Sequence, residues 1–429
     1  MRKSPLFIIF TTIFVDLVGF GIVLPVLPLY ARTFGASPLI IGVIVASFSL
    51  MQFFFMPVWG RVSDRIGRRP VILWSLVASA ISYLIYGFAR SLVVLIISRV
   101  FAGIAGATVS TAQAYIADVT TSENRAKGMG LIGAAFGLGF IFGPVIGGIL
   151  SEPGLVLGHI SSMLRNGVFE GFARWLDGQS VVIGLSAEGG VRFDIPALFA
   201  AVLCLGNAIL AYFRLPESLS PEHRSVKAMR TVSRKVLFHA LFKPYLGVLL
   251  ILFFITTFSY ANTYGTLPLF TGQVMQLSAS ENGYLFAFMG LITAVMQGGF
   301  IGRLTKVFGE RRLLLVGCMS MVVGFTLLAF SSTTVMLAGA VIFLSSGTGM
   351  CNPIIPSLIT QESDPREHGS MLGISQSFSS LGRVLGPAWG GLTYDRLGHQ
   401  WPFFTAAMFM TVASFLGFGI QHRRRIKAE

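Results

Sequence analysis

Twelve apolar segments run through this sequence, and each is long enough to cross a membrane as a helix, which takes about 20 mostly apolar residues. They lie at 6–29, 39–59, 70–89, 92–114, 127–150, 196–214, 244–270, 282–302, 313–331, 334–358, 369–392 and 402–420. Because 54% of the residues are hydrophobic and only 12% are charged, the chain cannot be a soluble domain of ordinary composition. The pattern predicts an all-α polytopic membrane protein.

The distribution of positive charge predicts the orientation. An even number of spans puts both termini on one side. The termini and loops of that side contain 24 of the 32 Lys and Arg residues, the other side contains six, and two, Arg99 and Arg383, lie within spans. Cytoplasmic loops retain Lys and Arg, so we expect both termini on the cytoplasmic side of the cytoplasmic (inner) membrane. The first apolar run is too long for a signal peptide and lacks a small-residue cleavage site, so we interpret it as a retained span.

Three connections have their own patterns. Gly60–Pro70 (GRVSDRIGRRP) is predicted to be a charged loop in which Gly60 and Gly67 permit a tight turn and Pro70 begins the next helix. Segment 151–195 is predicted to be an outer insertion, with an interfacial amphipathic helix over 160–176 and a hairpin in which SVVIGL and VRFDI flank AEGG. Segment 215–243 is basic and is predicted to be a cytoplasmic linker.

An internal repeat divides the chain into two halves. GRVSDRIGRR at residue 60 resembles GRLTKVFGER at residue 302, and the glycine pattern around Pro144 recurs around Pro387 at an offset of 243. Parallel six-helix repeats about an axis along the membrane normal are typical of one class of secondary transporters. The predicted domains are an N-terminal six-helix bundle (1–214, including the insertion), the linker (215–243), a C-terminal six-helix bundle (244–420) and a basic cytoplasmic tail (421–429).

These motifs resemble those of the twelve-helix drug:H⁺ antiporters of the major facilitator superfamily. The segment at Gly60 is similar to the superfamily signature between spans two and three, and GLGFIFGPVIGG (Gly137–Gly148) resembles the antiporter motif of span five. Arg99, Gly103 and Gly106 match the motif of span four, and FVDLVGFGIVLPVLPLY is similar to that of span one. Over nearly its whole length the chain resembles bacterial tetracycline and multidrug efflux pumps, which confer antibiotic resistance. The resemblance implies the major facilitator fold, two six-helix bundles related by a pseudo-twofold axis along the membrane normal.

The sequence departs from those pumps in two respects. Its outer insertion is much longer than theirs, and the second half has no acidic residue deep in a span, whereas the tetracycline pumps have one there. The resemblance therefore does not extend to a tetracycline-specific site.

Asp16 is the candidate proton carrier. It lies about ten residues, or roughly 16 Å, into the first span, near the middle of the bilayer. An ionised carboxylate is costly there, which favours uptake of a proton, and intramembrane acids are functional by default. The alternative is a capped or paired structural aspartate beside a kinked helix end.

Two arginines within spans are the next candidates. Arg99 stays charged when buried and is expected to tune Asp16 or meet the substrate, and the alternative is an arginine that extends outward to the interface. Arg383 interrupts the small, apolar stretch SFSSLGRVLGPAWGG and stands where the repeat has Phe140. For Arg383, a place in the cavity and extension to the interface are weighed equally. If both arginines face the cavity, anionic or zwitterionic amphiphiles are favoured over cations.

A cytoplasmic latch is predicted from Asp64, Arg65, Arg68 and Asp118, because carboxylates and guanidiniums that pair in one conformation and separate in another make a bistable gate. Solvated surface charge is the alternative. Lys306 and Glu310 replace Asp64 and Arg68 in the second half, so the latch is expected to be asymmetric.

Small and helix-bending residues are predicted to permit close helix packing or hinge motion. This set comprises Gly60, Gly67, Gly103, Gly106, Gly143, Pro144, Gly147, Gly148, Gly386 and Pro387.

Polar and aromatic residues within spans are candidate contacts in the substrate cavity, although interhelical hydrogen bonding explains any one of them as well. They are Gln52, Gln113, Tyr115, Asn262, Gln297, Asn352, Gln376 and Arg383, with Tyr260 and Tyr264 as further aromatics.

The function predicted is secondary active export of small lipophilic compounds, tetracycline-like drugs included, in exchange for protons by alternating access. The alternatives are an exporter of an endogenous amphiphile, such as a lipid precursor or organic anion, and a non-transporting membrane receptor. No glycine-rich phosphate loop ends in Gly-Lys-Ser/Thr, so the energy for transport is expected from a gradient.

We expect no enzymatic activity, no cofactor or metal and no nucleic-acid partner. Its partners would be the substrate, protons and membrane lipid, and it would act as a monomer. Cys204, Cys318 and Cys351 are expected to be packing residues.

Overall fold

A computed structural model describes residues 5–106, 108–120, 125–152, 191–219, 244–363 and 368–428. Within these residues the protein is helical, with short turns and no strand. The helices of the first half are α1 (Pro5–Thr33), α2 (Pro38–Ile66), α3 (Arg68–Gly87), α4 (Leu92–Ala105), α5 (Thr108–Val119), α6 (Arg125–Ser151) and α7 (Asp194–Arg214). The second half has α8 (Pro244–Val274), α9 (Ala279–Val295), a π-helical turn (Met296–Phe300), α10 (Ile301–Phe308), α11 (Glu310–Ala329), α12 (Thr334–Gln361), α13 (His368–Leu397) and α14 (Trp401–Ala428).

Eleven segments among the described residues are long and apolar enough to cross a membrane. One of them combines α4 with α5, and another combines α9, the π-helical turn and α10. Helix α13, which is 30 residues long, supplies the remaining predicted span. The predicted all-α, multi-span architecture is confirmed.

Side chains from the preceding turns cap several helices. Ser37 accepts a hydrogen bond from the Ile40 amide at the start of α2, and Ser91 and Thr333 do the same for α4 and α12. Ser278 and Glu281 form a reciprocal capping box at the start of α9. Such caps satisfy backbone donors that a helix end cannot pair itself, so they define where the spans begin.

The Gly60–Pro70 segment is not a loop, and this prediction was wrong. Helix α2 continues through the charged residues to Ile66, and α3 begins at Arg68 rather than at Pro70. Only Gly67 interrupts the two helices, with a φ of 108° that residues with a Cβ rarely adopt. The helix can extend past the hydrocarbon because its last turns carry arginines, which remain in water.

The helix contacts repeat between the two halves. In the first half α1 packs on α6 and α3 on α7, and in the second half α8 packs on α13 and α11 on α14. The main contacts between the halves are α2 with α13 and α6 with α9. Exchanging the halves converts one of these two contacts into the other, as a pseudo-twofold relation requires.

The repeated glycines form the closest of these contacts. Gly139, Gly143 and Gly147 of α6 lie against the α1 backbone, so that an added Cβ would collide with it. In α13 the equivalent Gly382 and Gly386 lie in the same way against the α8 backbone, and Gly390 lies against the side chains of Asn262 and Thr266. Spacing of four residues keeps each trio on one helix face. The absence of a Cβ therefore brings the helix axes within each half close together.

Two further predictions concern connections. The predicted amphipathic helix at 160–176 and most of the hairpin lie outside the described residues, as do residues 220–243 of the linker. Of the hairpin's second strand, residues 191–193 have no regular structure and Asp194 begins α7, so no strand forms at 191–195. The three cysteines are free and buried.

We expect Gly147→Leu to destabilise the protein because its side chain would meet the α1 backbone at Ile22. Overpacking of this kind costs about 1–3 kcal/mol, which corresponds to a fall in melting temperature of about 2–4 °C per kcal/mol. The matched control is Gly133→Leu on the same helix, since Gly133 has no atom within 4 Å of an added Cβ. Thermal unfolding of the purified variants in detergent measures the difference, and equal melting temperatures would contradict the packing described.

Candidate transport site

Asp16 is half-buried in α1, which packs on α7, and α7 in turn packs on α3. Its charge acts on the Tyr83 hydroxyl of α3 and on the Cys204 thiol of α7. One turn further along α1, a Cβ added to Gly19 would lie 3.1 Å from the Tyr83 hydroxyl oxygen. The predicted proton carrier is therefore within electrostatic range of a buried tyrosine.

Arg99 is only 3% exposed, so it does not extend to the interface. Its guanidinium lies over two tyrosine rings of α3, with the Arg99 Cζ 5.9 Å from the centre of the Tyr83 ring and 4.9 Å from that of Tyr86. The Nη2 atom of Arg99 and the hydroxyl of Tyr86 have no hydrogen-bond partner among the described residues. Cation–π contacts thus replace water around this charge.

Tyr83 connects the two predicted proton-coupling residues. It lies under the Arg99 guanidinium, and its hydroxyl is in the electrostatic field of both Asp16 and Arg99. Tyr83 of α3 is therefore the group on which the charges of Asp16 in α1 and of Arg99 in α4 both act.

The span that carries Arg99 is broken rather than continuous. Helix α4 ends at Ala105, and the break leaves carbonyl groups without helical donors. Trp59 of α2 donates to the Ile104 carbonyl at 2.6 Å, and Ser75 of α3 donates to that of Ala105. Gly103 permits the close approach of α2, since an added Cβ would meet the Phe48 carbonyl.

Three of the four predicted latch residues come together at the end of α2. We call this end of the bundle the Gly67 face. Arg68 pairs with Asp64 and with Asp118, its Nε lying 3.1 Å from Asp118 Oδ2, and it also donates to Ser63 at 2.7 Å. Arg65 is exposed and does not take part in these ion pairs. The latch residues all belong to the first half, so in this conformation they hold α2, α3 and α5 together.

Glu217 completes this cluster, and the sequence analysis missed it. Its carboxylate accepts hydrogen bonds from the backbone amides of Arg68 and Arg69, at 2.9 and 3.3 Å, and thereby caps α3. The carboxylate occupies the space beside Gly67 that a Cβ would fill. An acid three residues after the end of α7 was the signal available, but nothing in the sequence indicates that it reaches α3.

The second half has a different arrangement at the same face. Glu310 accepts hydrogen bonds from Ser357 and Gln361 of α12, at 2.9 and 2.8 Å, and Arg311 pairs with Glu362 at 2.7 Å. These contacts join α11 to α12. The two halves are therefore asymmetric at this face, and Glu310, which replaces Arg68 in the second half, takes part in the difference.

The opposite end, which we call the Glu152 face, joins the two halves. Glu152 is buried and accepts hydrogen bonds from the amides of Ala279 and Ser280 at the start of α9, at 3.0 and 3.2 Å. Ser280 in turn donates to the Gly148 carbonyl at 3.0 Å. On the other side of the bundle, Gly391 of α13 lies against the Pro38 backbone of α2.

The helices separate towards the Gly67 face. Seven glycines in the corresponding parts of α2, α6, the α9–α10 span and α13 have no atom within 4 Å of an added Cβ: Gly60, Gly130, Gly133, Gly298, Gly299, Gly302 and Gly373. At these glycines the contacts between helices are therefore closer towards the Glu152 face than towards the Gly67 face. Pro144 and Pro387 lie in the closely packed part, where Gly283 and Gly42 of the other half approach their carbonyl groups.

The predicted cavity residues are not all in one place. Asn352 and Arg383 line one cavity together with Tyr260 and Tyr264. Tyr115 instead donates to the Pro216 carbonyl at 3.0 Å, near Glu217. Asn262 is 1% exposed and donates to the Pro402 carbonyl at 2.7 Å, which joins α8 to α14.

The remaining four residues of that predicted set lie apart from this cavity. Gln52 is beside Gly106 at the α4–α5 break, and Gln297 is half-buried in the π-helical turn. Gln113 and Gln376 are exposed. The sequence identified the polar positions within spans but not which of them share a cavity, because that depends on helix rotation.

The sequence matches one protein family over almost its entire length. The profile of the Major Facilitator Superfamily matches residues 9–301 and 298–428. The tetracycline resistance protein, class C, of Escherichia coli is 32% identical over 395 residues, which cover 90% of this chain and 88% of that protein. Multidrug resistance protein 2 of Bacillus subtilis (strain 168) is 27% identical over 420 residues, covering 96% and 94% of the two chains.

A solved structure shares the fold. The crystal structure of the human organic anion transporter MFSD10 (TETRAN) superposes with a TM-score of 0.67 at 23% identity, covering 97% of this chain and 100% of that one.

We expect Arg68→Ala to destabilise the protein more than Arg65→Ala. The Arg68 side chain is 10% exposed and joins Asp64, Asp118 and Ser63, whereas Arg65 is exposed. Loss of hydrogen bonds to charged groups costs about 1–3 kcal/mol, so the melting temperature should fall by about 2–4 °C per kcal/mol. Thermal unfolding in detergent compares the two variants. A larger effect of Arg65→Ala would contradict the assignment of Arg68 as the centre of this cluster.

Proposed function

Because this chain belongs to the Major Facilitator Superfamily, we propose that it exports small lipophilic compounds in exchange for protons by alternating access. The observation that carries the proposal is the position of Asp16 on α1. This helix places a carboxylate within electrostatic range of Tyr83 and also packs closely on α6 at glycine positions. Helix α6 makes one of the two main contacts between the halves. A proton on Asp16 therefore acts on a helix that is rigidly joined to that interface.

Protonation changes the balance of charge inside the first half. With Asp16 protonated, Arg99 is a buried cation held mainly by Tyr83 and Tyr86. When the proton leaves, the Asp16 carboxylate attracts the guanidinium across Tyr83, and the low dielectric of the interior strengthens that attraction. The two protonation states thus favour different positions of α1 relative to α3 and α4, which is what a coupled carrier requires.

Alternation would proceed by rocking of the two halves. In one state of this cycle the hydrogen bonds of Glu152 would hold the Glu152 face closed while the Gly67 face, where the glycines of the spans make no close contacts, would load substrate. We place the Gly67 face and both termini in the cytoplasm, in agreement with the excess of Lys and Arg on that side. In this arrangement the protein takes substrate from the cytoplasm, and we place it in the cytoplasmic membrane as a monomer.

The relatives support export rather than uptake. One protein named for tetracycline resistance and one named for multidrug resistance align with at least 90% of this chain. The charged residues within the spans of this chain bear on the charge of its substrate. Two arginines and one aspartate lie there, which favours an amphiphile with an acidic group as a second candidate substrate.

Substrate-dependent proton movement in proteoliposomes tests the proposal. We expect lipophilic substrates to dissipate an imposed pH gradient with the wild type and not with Asp16→Asn, because the amide cannot carry the proton. The matched control is Asp395→Asn at the exposed end of α13, which should retain the wild-type rate.

Coupling that survives in Asp16→Asn would refute Asp16 as the carrier. The panel of compounds should contain lipophilic cations, neutral drugs and organic acids, since their relative rates identify the charge class. Binding of a compound without any proton movement would instead favour a receptor.

A further inference from the structure

A small polar cavity lies inside the second half, between α8, α12 and α13. Its volume is about 100 Å³. Eight of the ten residues that line it carry a hydroxyl, amide or guanidinium group, and the lining consists of Thr256, Thr257, Tyr260, Tyr264, Met321, Thr348, Cys351, Asn352, Ser379 and Arg383. We call it the Arg383 cavity.

Arg383 is a cation whose bonds in the structure go to neutral groups. Its Nη1 donates to Ser379 Oγ at 3.0 Å and its Nη2 to Ser380 Oγ at 2.8 Å. A guanidinium has five N–H donors. The acidic residues described in the second half, Glu281, Glu310, Glu362 and Asp395, all lie near helix ends. No carboxylate of the described second half therefore lies at the depth of Arg383.

A cation in this position is costly unless an anion accompanies it. Charged groups within a membrane protein pair with one another or mark a substrate path. A carboxylate offers two oxygens that match the fork of the guanidinium, and such charge-assisted, bidentate bonds are stronger than those to hydroxyls. An acid is thus the partner that the guanidinium of Arg383 would bind most strongly.

Arg383 differs from Arg99 in its access to a ligand. Arg99 is 3% exposed beneath the rings of Tyr83 and Tyr86. Arg383 is half-buried and lines the cavity, and Asn352 on the same cavity is exposed. The Arg383 cavity is therefore open at Asn352, whereas Arg99 is enclosed.

The internal repeat relates the position of Asp16 in the first half to that of the Arg383 cavity in the second half. The glycine contacts align Leu17 of α1 with Phe258 of α8, and Gly21 with Asn262, both at an offset of 241. The same offset pairs Asp16 with Thr257, which lines the Arg383 cavity and hydrogen-bonds to Ser379 at 3.2 Å. Where the first half has the acid Asp16, the second half thus has a threonine that shares a cavity with the cation of Arg383.

The cavity is too small for a whole drug-sized molecule. Sites for such ligands have volumes of about 300–1,000 Å³, so a cavity of about 100 Å³ accommodates one end of the ligand. Tyr260 and Tyr264, whose rings meet edge to face at 5.7 Å, form an aromatic wall beside the arginine. This combination suits an acidic group attached to an apolar or aromatic body.

We propose that the Arg383 cavity binds the carboxylate of an amphiphilic organic acid, with the guanidinium of Arg383 as its partner and the apolar body extending past Asn352. This inference rests on the proposed function in that the bound acid is a transported substrate. The Arg383 cavity is then the part of the transport path that selects for negative charge, and Asp16 is the part that carries the proton.

Equilibrium binding to the purified full-length protein tests this site. The probe is dansylglycine, a fluorescent aromatic carboxylate, and its neutral match is dansylglycinamide. We expect the wild type to bind the acid more tightly than the amide. Arg383→Gln should weaken binding of the acid roughly ten- to hundredfold and leave binding of the amide unchanged.

Two controls separate the role of the site from general effects of charge. Arg90→Gln removes an exposed arginine outside the cavity and should not alter binding of either probe. Asn352→Asp adds a carboxylate to the cavity lining and should repel the acid without affecting the amide, which keeps the test open if Arg383→Gln does not fold. Equal affinity for acid and amide, or binding of the acid that is unaffected by both cavity variants, would overturn the proposal.

The outcome is independent of that for proton exchange. Binding of the acid that depends on Arg383, together with no proton movement, would support the site and contradict the proposed function. Proton exchange with neutral drugs, together with no preference for the acid, would support the function and contradict the site.

Discussion

Close contact between helix backbones at glycine positions is the interaction on which the rest of this structure depends. Each half is built on three glycines spaced by four residues, which bring α6 onto α1 and α13 onto α8. The glycine that follows each trio, Gly148 or Gly391, faces the other half instead and helps to close the Glu152 face. Membrane interiors offer no hydrophobic driving force between helices, so such close packing supplies much of the association. The same two helices therefore determine both the shape of each half and the way the halves meet.

Few charged residues lie within the spans, and the two halves have different ones. Asp16 lies on the helix that the first glycine trio contacts, and Arg383 lies on the helix that carries the second trio. Each charge is close to tyrosines, and Arg99 is enclosed by two of them. Tyrosine rings can hold a cation without fixing it in an ion pair. This arrangement agrees with the proposed response of the interior to a proton and to an acidic ligand.

The sequence was sufficient for the fold class because hydropathy, positive charge and the repeated glycines are all local signals. It failed at Gly60–Pro70, where charge was interpreted as a loop although helices extend readily into water beyond the hydrocarbon. It also missed the break after Ala105, because the groups that satisfy the freed carbonyls, Trp59 and Ser75, come from other helices. Asp16, Arg99 and Arg383 were recognisable as charges within spans. The partners Tyr83, Glu152 and Glu217 were not, since their roles depend on helix rotation and on contacts distant in sequence.

The central claim is that the halves rock about these contacts in response to a proton on Asp16. Distances between spin labels at introduced cysteines test it most directly, and the three native cysteines are buried. One pair, Ile66→Cys with Val307→Cys, reports the Gly67 face, and the other, Val93→Cys with Val335→Cys, reports the Glu152 face. All four positions are exposed. The account predicts that the two distances change in opposite directions between low and high pH, and that Asp16→Asn keeps the low-pH values at both. Distances that do not change with pH, or that change in the same direction, would contradict it.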